Sequence, residues 1–146
     1  MRALLQRVGS ARVSVAGEVV GSIDAGLVVF LALEPADDRA RGTALLRRVL
    51  DYRVFADPEG RMNRSLRDVG GGLLLVSQFT LAADTGRGLR PSFSTAMAPD
   101  AAAVLFAQLL EDLRSMHEPV ASGRFGADMQ VSLVNDGPVT FLLESR

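Results

Sequence analysis

"GGGLLLVSQF", residues 70–79, is the stretch that decides the fold. Its glycines are followed by an unbroken apolar run, which is typical of a strand buried on both faces of a sheet. Polar residues return at the end of the run, in the segment Ser77, Gln78, Phe79 and Thr80. Because open α/β sheets place ligand sites where buried strands end, this segment is the candidate functional site. A plainer interpretation stays open here, in which the polar residues cap a turn and Phe79 packs in the core.

Further strands are predicted on both sides of this run. The apolar run at residues 26–33 predicts a second buried strand. Alternating apolar and polar residues over 1–8 and 11–22 predict an N-terminal β-hairpin. A short strand is predicted at residues 52–55 and is stopped by the turn sequence "DPEG". The last two predicted strands are "DMQVSLV" (128–134) and "VTFLLE" (139–144).

Helical spacing of apolar residues predicts two helices. The first runs from Asp37 to about Leu50, with acidic residues at its start. The second is predicted to begin at Asp100 as its N-cap and to end before Pro119. The sequence therefore predicts one α/β domain over residues 1–146, with about seven strands in a mixed sheet and two main helices.

The segment "NDGPVT", residues 135–140, lies between the last two predicted strands. Asp-Gly between strands is a common two-residue hairpin turn. Pro138, however, removes a backbone donor where the next strand should begin to pair, and it biases Gly137 toward extended geometry. The segment is therefore either an awkward hairpin turn or a loop held in an unusual shape for a functional reason.

Composition excludes several chemistries. The chain has 146 residues, no cysteine and no lysine, so disulfides, thiol catalysis, zinc-thiolate sites, Schiff bases and Walker A loops are ruled out. The single histidine, His117, lies at the predicted end of the second helix, where a capping role is the simple interpretation. No metal site and no cofactor are predicted. No apolar run is long enough for a membrane helix and the N-terminus lacks a signal-peptide pattern, so we expect a cytoplasmic protein.

Arginine supplies all the basic side chains, and two runs of it stand out. They are "RMNRSLR" at residues 61–67 and "RGLR" at residues 87–90, in a chain whose net charge is only −1. Such runs form either a local basic patch or ordinary solvated surface. The sequence alone leaves both interpretations open.

Two motifs and several longer stretches give the chain a family resemblance. The motifs are Ser-Gln-Phe-Thr at residues 77–80 and Asn-Asp-Gly-Pro-Val-Thr at residues 135–140. Together with "RVFADPEGRMNRSL" (53–66), "RPSFS" (90–94) and other stretches, they make the chain resemble the D-aminoacyl-tRNA deacylases, formerly called D-tyrosyl-tRNA deacylases. The resemblance covers essentially the whole chain.

The resemblance implies an enzyme that hydrolyses the ester between a D-amino acid and the terminal adenosine of tRNA, and that also removes glycine mischarged onto alanine tRNA. It implies a barrel-like mixed α/β domain that works without a cofactor as a homodimer, with active sites at the dimer interface. Ser77, Gln78, Phe79 and Thr80 would line the pocket. The Gly137–Pro138 unit, with a cis peptide bond, would reach into the partner's site as the chiral selector.

The resemblance leaves the attacking group open between the Thr80 hydroxyl and a water molecule activated by the tRNA 2′-hydroxyl. No obvious base is present for Thr80, so we favour the water, with backbone N–H groups near Phe79 and Thr80 stabilising the oxyanion. Two other functions are considered. One is a non-catalytic RNA-binding module that uses Phe79, Phe93 and Phe125 for stacking. The other is an assembly protein that uses the loop at residues 90–99 as an interface.

Overall fold

A long first strand organises the sheet. The computed structural model describes residues 1–86 and 88–145, so Arg87 of the predicted "RGLR" patch lies outside the described residues. The strands are β1 (Arg2–Val15), β2 (Glu18–Ile23), β3 (Gly26–Ala32), β4 (Phe55–Ala56), β5 (Met62–Arg64), β6 (Gly72–Ser77), β7 (Val120–Ser122) and β8 (Gln130–Glu144). In the main sheet, β2 and β3 pair with the two halves of one edge of β1, and β8 pairs with its other edge. Strand β6 follows β3, and β7 follows β6. A separate two-stranded sheet joins β4 to β5.

The main sheet is mixed and curls into a nearly closed barrel. Strand β6 runs parallel to both β3 and β7, whereas β1 is antiparallel to β2, β3 and β8. The ends of the sheet meet where β2 approaches β7, because a Cβ added at Gly21 would lie 2.5 Å from the carbonyl oxygen of Ser122. Only glycine permits that approach. The predicted barrel-like α/β fold is confirmed.

Helices cover one face of this sheet. They are α1 (Arg39–Asp51), the short α2 (Leu66–Val69) and α3 (Pro99–Met116). The larger core lies between α1, α3 and the sheet, and a smaller core fills the barrel. The buried strand predicted at residues 70–79 is confirmed, since every residue from Gly72 to Val76 is buried. No helix in the described part of the chain is long and apolar enough to span a membrane.

The predicted helix starts are wrong by one or two residues. In α1 the N-cap is Asp38, whose carboxylate accepts the N–H of Arg41 at 2.8 Å, and Asp37 lies outside the helix. In α3 the N-cap is Ala98, and Asp100 lies in the first turn after Pro99. Proline suits this position, because its missing N–H would have no partner within the helix. An acidic residue is favourable anywhere in the first turn, so Asp100 did not identify the cap.

The short strand predicted at residues 52–55 is also wrong in its bounds. Tyr52 is the C-cap of α1, and only Phe55 and Ala56 form β4. The turn after β4 leads into β5, which the sequence did not predict because three polar or exposed residues carry no strand pattern. Strand β7 and helix α2 are too short to be detected in the same way.

The largest departure concerns residues 135–140. They join no hairpin, because β8 is one continuous strand of 15 residues. Both halves of β8 pair with β1, which is long enough to bind the whole strand. The pairing passes from Gln6–Thr140 to Val8–Asn135, so residues 136–139 bulge out opposite the single residue Arg7. The interpretation as a hairpin turn is therefore wrong, and the alternative of an unusual local shape is the one observed.

Candidate functional site

Residues 77–80 lie where β6 leaves the sheet. The Gln78 N–H donates to the Leu31 carbonyl oxygen at 2.8 Å, and the chain then forms a 3-10 turn from Phe79 to Ala82. Ser77 and Gln78 are half-buried, whereas Thr80 is exposed. The Phe79 side chain is 57% exposed, so the interpretation that places it in the core is wrong.

An apolar cavity of about 410 Å³ lies beside this segment. Apolar residues of β3, α3 and two loops form most of its wall, and Ser77 and Gln78 supply polar groups at one end. At its mouth the exposed rings of Phe79 and Phe93 meet edge to face, with centroids 4.9 Å apart. A cavity of this size, largely apolar with a few polar groups at one end, suits a small organic ligand. The wall includes Leu31, Leu33, Met97, Pro99, Phe106 and Phe125.

The Thr80 hydroxyl has no base beside it. Its oxygen accepts a hydrogen bond from Gln78 Nε2 at 2.5 Å, and no histidine or carboxylate among the described residues bonds to it. His117 caps α3, as predicted, and its Nε2 lies 2.8 Å from the carbonyl oxygen of Gly71. Gly71 precedes β6 and Ser77 ends it, so His117 is roughly 20 Å from Thr80 along the strand.

The backbone N–H groups of Phe79 and Thr80 have no partner within the described part of the chain. The first N–H groups of a helical turn have no carbonyl partner within that turn. Free donors at one point can stabilise negative charge on a ligand oxygen. The same region contains no metal site, since no group of three or more His, Asp or Glu residues in the described chain is placed to hold an ion.

The second motif forms an exposed bulge on β8. Gly137 and Pro138 are both exposed, the peptide bond between them is cis, and Gly137 has a φ of +137°. Next to them, the Val139 N–H donates to the Asn135 side-chain oxygen at 2.9 Å. The Asn135 amide group in turn donates to the Thr140 hydroxyl at 2.9 Å. The bulge therefore has its own side-chain support.

Arg7 holds this bulge from the facing strand, and sequence reasoning did not identify it. Its Nε donates to the Asp136 carbonyl oxygen at 3.0 Å, and its Nη1 donates to the Val54 carbonyl oxygen at 2.7 Å. One signal for Arg7 is present in the sequence. It follows Ala3 and Leu5 in the alternation of β1, where both are buried, so it occupies a position at which an apolar residue is expected.

A single chain does not bring the two motifs together. Gly137 of β8 lies opposite Arg7 of β1, which pairs with Leu27 of β3. Ser77 of β6 pairs with Leu31, which is also on β3. The motifs are thus separated by four residues along the strands and by three strand spacings across the sheet. These separations correspond to roughly 20 Å.

The fold is that of a known class of proteins that act on aminoacyl-tRNA. The family model described as D-Tyr-tRNA(Tyr) deacylase matches residues 4–144. The chain therefore belongs to the D-Tyr-tRNA(Tyr) deacylase family, whose members hydrolyse the ester bond of aminoacyl-tRNA.

Similar proteins and structures agree with this membership. The chain is 66% identical over 144 residues to a D-aminoacyl-tRNA deacylase of Pseudomonas putida, with 99% of each chain covered. It is 67% identical over 145 residues to one of Pseudomonas fluorescens, with 99% of this chain and all of the relative covered. A solved structure titled c-Myc DNA Unwinding Element Binding Protein has a TM-score of 0.95 at 39% identity, covering 100% of this chain and 99% of that one. A probable eukaryotic D-amino acid tRNA deacylase has a TM-score of 0.84 at 18% identity, covering 97% of both chains, and this likeness concerns the fold.

Proposed function

We propose that this protein hydrolyses the ester bond of D-aminoacyl-tRNA and releases free D-amino acid and tRNA. The full-length similarity to relatives named for this activity is the observation that carries the proposal. The substrate implies a cytoplasmic enzyme, since aminoacyl-tRNA is made and used there. No cofactor is part of the proposal.

In the proposed reaction, water attacks the ester carbonyl carbon. The 2′-hydroxyl of the terminal ribose draws a proton from this water. It is preferred to the Thr80 hydroxyl as the activating group because no histidine or carboxylate of the described residues bonds to Thr80. Negative charge develops on the carbonyl oxygen, where the free N–H groups of Phe79 and Thr80 stabilise it. The bond to the ribose 3′-oxygen then breaks, and the 2′-hydroxyl passes a proton to that oxygen. The amino acid leaves as its carboxylate after the second proton of the water is lost to solvent.

Chirality would be selected by the bulge of a second copy of the chain. The roughly 20 Å between the motifs within one chain supports a homodimer in which Gly137 and Pro138 enter the partner's site. A rigid wall facing the α-carbon collides with an L side chain where a D-amino acid presents only hydrogen. Glycine has hydrogen on both sides, so the same wall cannot reject it. The proposal therefore includes hydrolysis of glycyl-tRNA mischarged on alanine tRNA.

The decisive experiment compares D-tyrosyl-tRNA, L-tyrosyl-tRNA and glycyl-tRNA as substrates of the purified protein. We expect hydrolysis of the D and glycyl substrates and no measurable hydrolysis of the L substrate. Salt-dependent tRNA binding without turnover would instead support the alternative of a non-catalytic RNA-binding module. Equal hydrolysis of D and L substrates would contradict the selector.

The attacking group is tested with Thr80→Ala and with tRNA ending in 2′-deoxyadenosine. We expect Thr80→Ala to keep substantial activity, whereas removing the 2′-hydroxyl should slow hydrolysis by about 10²–10⁴-fold, the usual contribution of a general base. Complete loss of activity in a folded, substrate-binding Thr80→Ala protein would contradict the mechanism. Ser115→Ala, which removes an exposed hydroxyl on α3, is the matched control.

A further inference from the structure

The hairpin formed by β4 and β5, together with the residues just before it, carries three exposed arginines. Arg53 precedes β4, and Arg61 and Arg64 lie at the turn and on β5. All three are exposed, and none has a carboxylate within 4.0 Å among the described residues. Elsewhere Arg39 and Arg67 are paired with Asp112 and Asp51. The hairpin arginines therefore form no ion pair among the described residues, and apart from the bond that Arg64 Nη2 donates to the Asp68 carbonyl oxygen at 2.8 Å, their donors are available to a partner.

Asp57 gives this hairpin a fixed shape. Its carboxylate accepts the N–H groups of Glu59 at 3.0 Å and Arg61 at 2.8 Å, and the Asn63 side-chain amide at 2.7 Å. The backbone adds a bond from the Asp57 N–H to the Arg61 carbonyl oxygen at 2.8 Å. This carboxylate is occupied by the turn, so two exposed acids oppose the arginines: Glu59 in the turn and Asp68 near Arg64, whose carboxylate also accepts from Ser65. The hairpin offers positive charge on a preorganised support.

Arg7 couples the hairpin to the bulge of β8. The same guanidinium group bonds to the Val54 carbonyl oxygen at the entrance of the hairpin and to the Asp136 carbonyl oxygen in the bulge. The two structures are thus held side by side in one subunit. If the bulge enters a partner's active site as proposed, the hairpin of the same subunit comes to that site with it.

We propose that Arg53, Arg61 and Arg64 of one subunit bind the sugar-phosphate backbone of the tRNA acceptor end whose aminoacyl group occupies the partner's site. This inference rests on the proposed function and adds the surface that distinguishes tRNA from a free aminoacyl ester. Arginine suits it, since its guanidinium group binds phosphate oxygens in a bidentate manner. Met62, which is 48% exposed between Arg61 and Arg64, offers an apolar contact to a ribose or base.

The test uses the double variant Arg61→Gln/Arg64→Gln and two substrates, D-tyrosyl-tRNA and D-tyrosyl-adenosine, which lacks the acceptor phosphates. We expect the KM for D-tyrosyl-tRNA to rise about tenfold with kcat unchanged. A plot of the logarithm of the tRNA binding constant against the logarithm of the salt concentration should become shallower by about 0.7 for each phosphate contact that is lost. Hydrolysis of D-tyrosyl-adenosine should stay the same. The matched control is Arg41→Gln/Arg114→Gln, because Arg41, like Arg64, is exposed and donates to a backbone carbonyl.

Several outcomes would overturn the inference. One is an unchanged KM and salt dependence in the double variant, and another is an equal loss of activity on both substrates. A third is dissociation of the dimer of the variant, measured by light scattering, which would assign the arginines to a subunit contact. Anisotropy with uncharged tRNA at two salt concentrations tests the surface without any turnover. If the wild-type protein hydrolyses neither substrate, the proposed function fails, and weaker tRNA binding by the Arg61→Gln/Arg64→Gln variant still supports this surface.

Discussion

The two motifs are held in place in opposite ways. Residues 77–80 lie where a buried strand stops, and the sheet itself fixes them through the bond from Gln78 to Leu31. Gly137 and Pro138 lie where an edge strand continues, and side chains from other positions fix them, chiefly Arg7 and Asn135. The first region should tolerate side-chain changes that the second does not. The predictions that follow test this difference, from the largest expected effect to the smallest.

Gly137→Ala should have the largest effect. A Cβ at this position would lie 2.7 Å from Val139 Cγ2 and 3.1 Å from Arg7 Nη2, and its φ of +137° disfavours an L side chain. Strain of this kind costs about 1–3 kcal/mol and is relieved by moving the bulge. We expect deacylation of D-tyrosyl-tRNA to fall about 100-fold, because about 2.7 kcal/mol of transition-state stabilisation is lost.

The matched control for this change is Gly9→Ala on β1. A Cβ at Gly9 meets no atom within 4 Å, so activity should stay at the wild-type level. Circular dichroism should show that both variants are folded. Full activity in Gly137→Ala would show that the shape of the bulge does not matter for the reaction.

Arg7→Met should have a smaller effect, since it removes support from the bulge without adding a clash. The Arg7 side chain is only 16% exposed, and both of its hydrogen bonds are donated by a charged group. Bonds of this kind contribute about 1.5–3 kcal/mol each. We expect activity on D-tyrosyl-tRNA to fall about tenfold, with discrimination against L-tyrosyl-tRNA weakened.

Arg7→Lys and Arg12→Met complete this comparison. Lysine keeps the charge but cannot span both carbonyl oxygens, so partial recovery of chiral discrimination is expected. Arg12 is an exposed residue of the same strand, and its substitution should change nothing. If Arg7→Met melts at a much lower temperature but discriminates normally, Arg7 has a merely structural role.

The same difference explains what the sequence could predict. The strand from Gly72 to Ser77 can be predicted from the sequence, because burial on both faces requires an unbroken apolar run. The polar residues of the candidate site follow that run directly. The continuity of β8 cannot be predicted from the local sequence, because it depends on pairing with β1, more than 110 residues away along the chain. The roles of Arg7 and of the β4–β5 hairpin also depend on long-range contacts. The family resemblance identified Gly137 and Pro138, but not the residue that holds them.

The smallest effect on activity is expected at the contact between α1 and α3. Asp112 on α3 forms a bidentate pair with Arg39, at 2.5 and 3.0 Å, and accepts the Thr43 hydroxyl at 2.6 Å. The Arg39 hydrogen bonds, with help from Thr43, lower the pKa of Asp112 from 3.8 to about 2. A lowered pKa means that the ionised form stabilises the fold above about pH 4, and that this stabilisation is lost as pH falls toward 2.

Asp112→Asn should therefore make the stability of the protein less dependent on pH in the acid range, and it should leave the bulge unchanged. Melting temperatures between pH 2 and 6 should fall more steeply for the wild-type protein than for the variant, while Asp128→Asn, at an exposed carboxylate, should follow the wild type. Because α3 lines the cavity beside Ser77, we expect loosening of the helix contact in acid to affect the strand-end region more than the bulge. At pH 7 both variants should keep full chiral discrimination. A loss of discrimination in Asp112→Asn would mean that the helix layer also positions the bulge, and the separation of the two regions would be wrong.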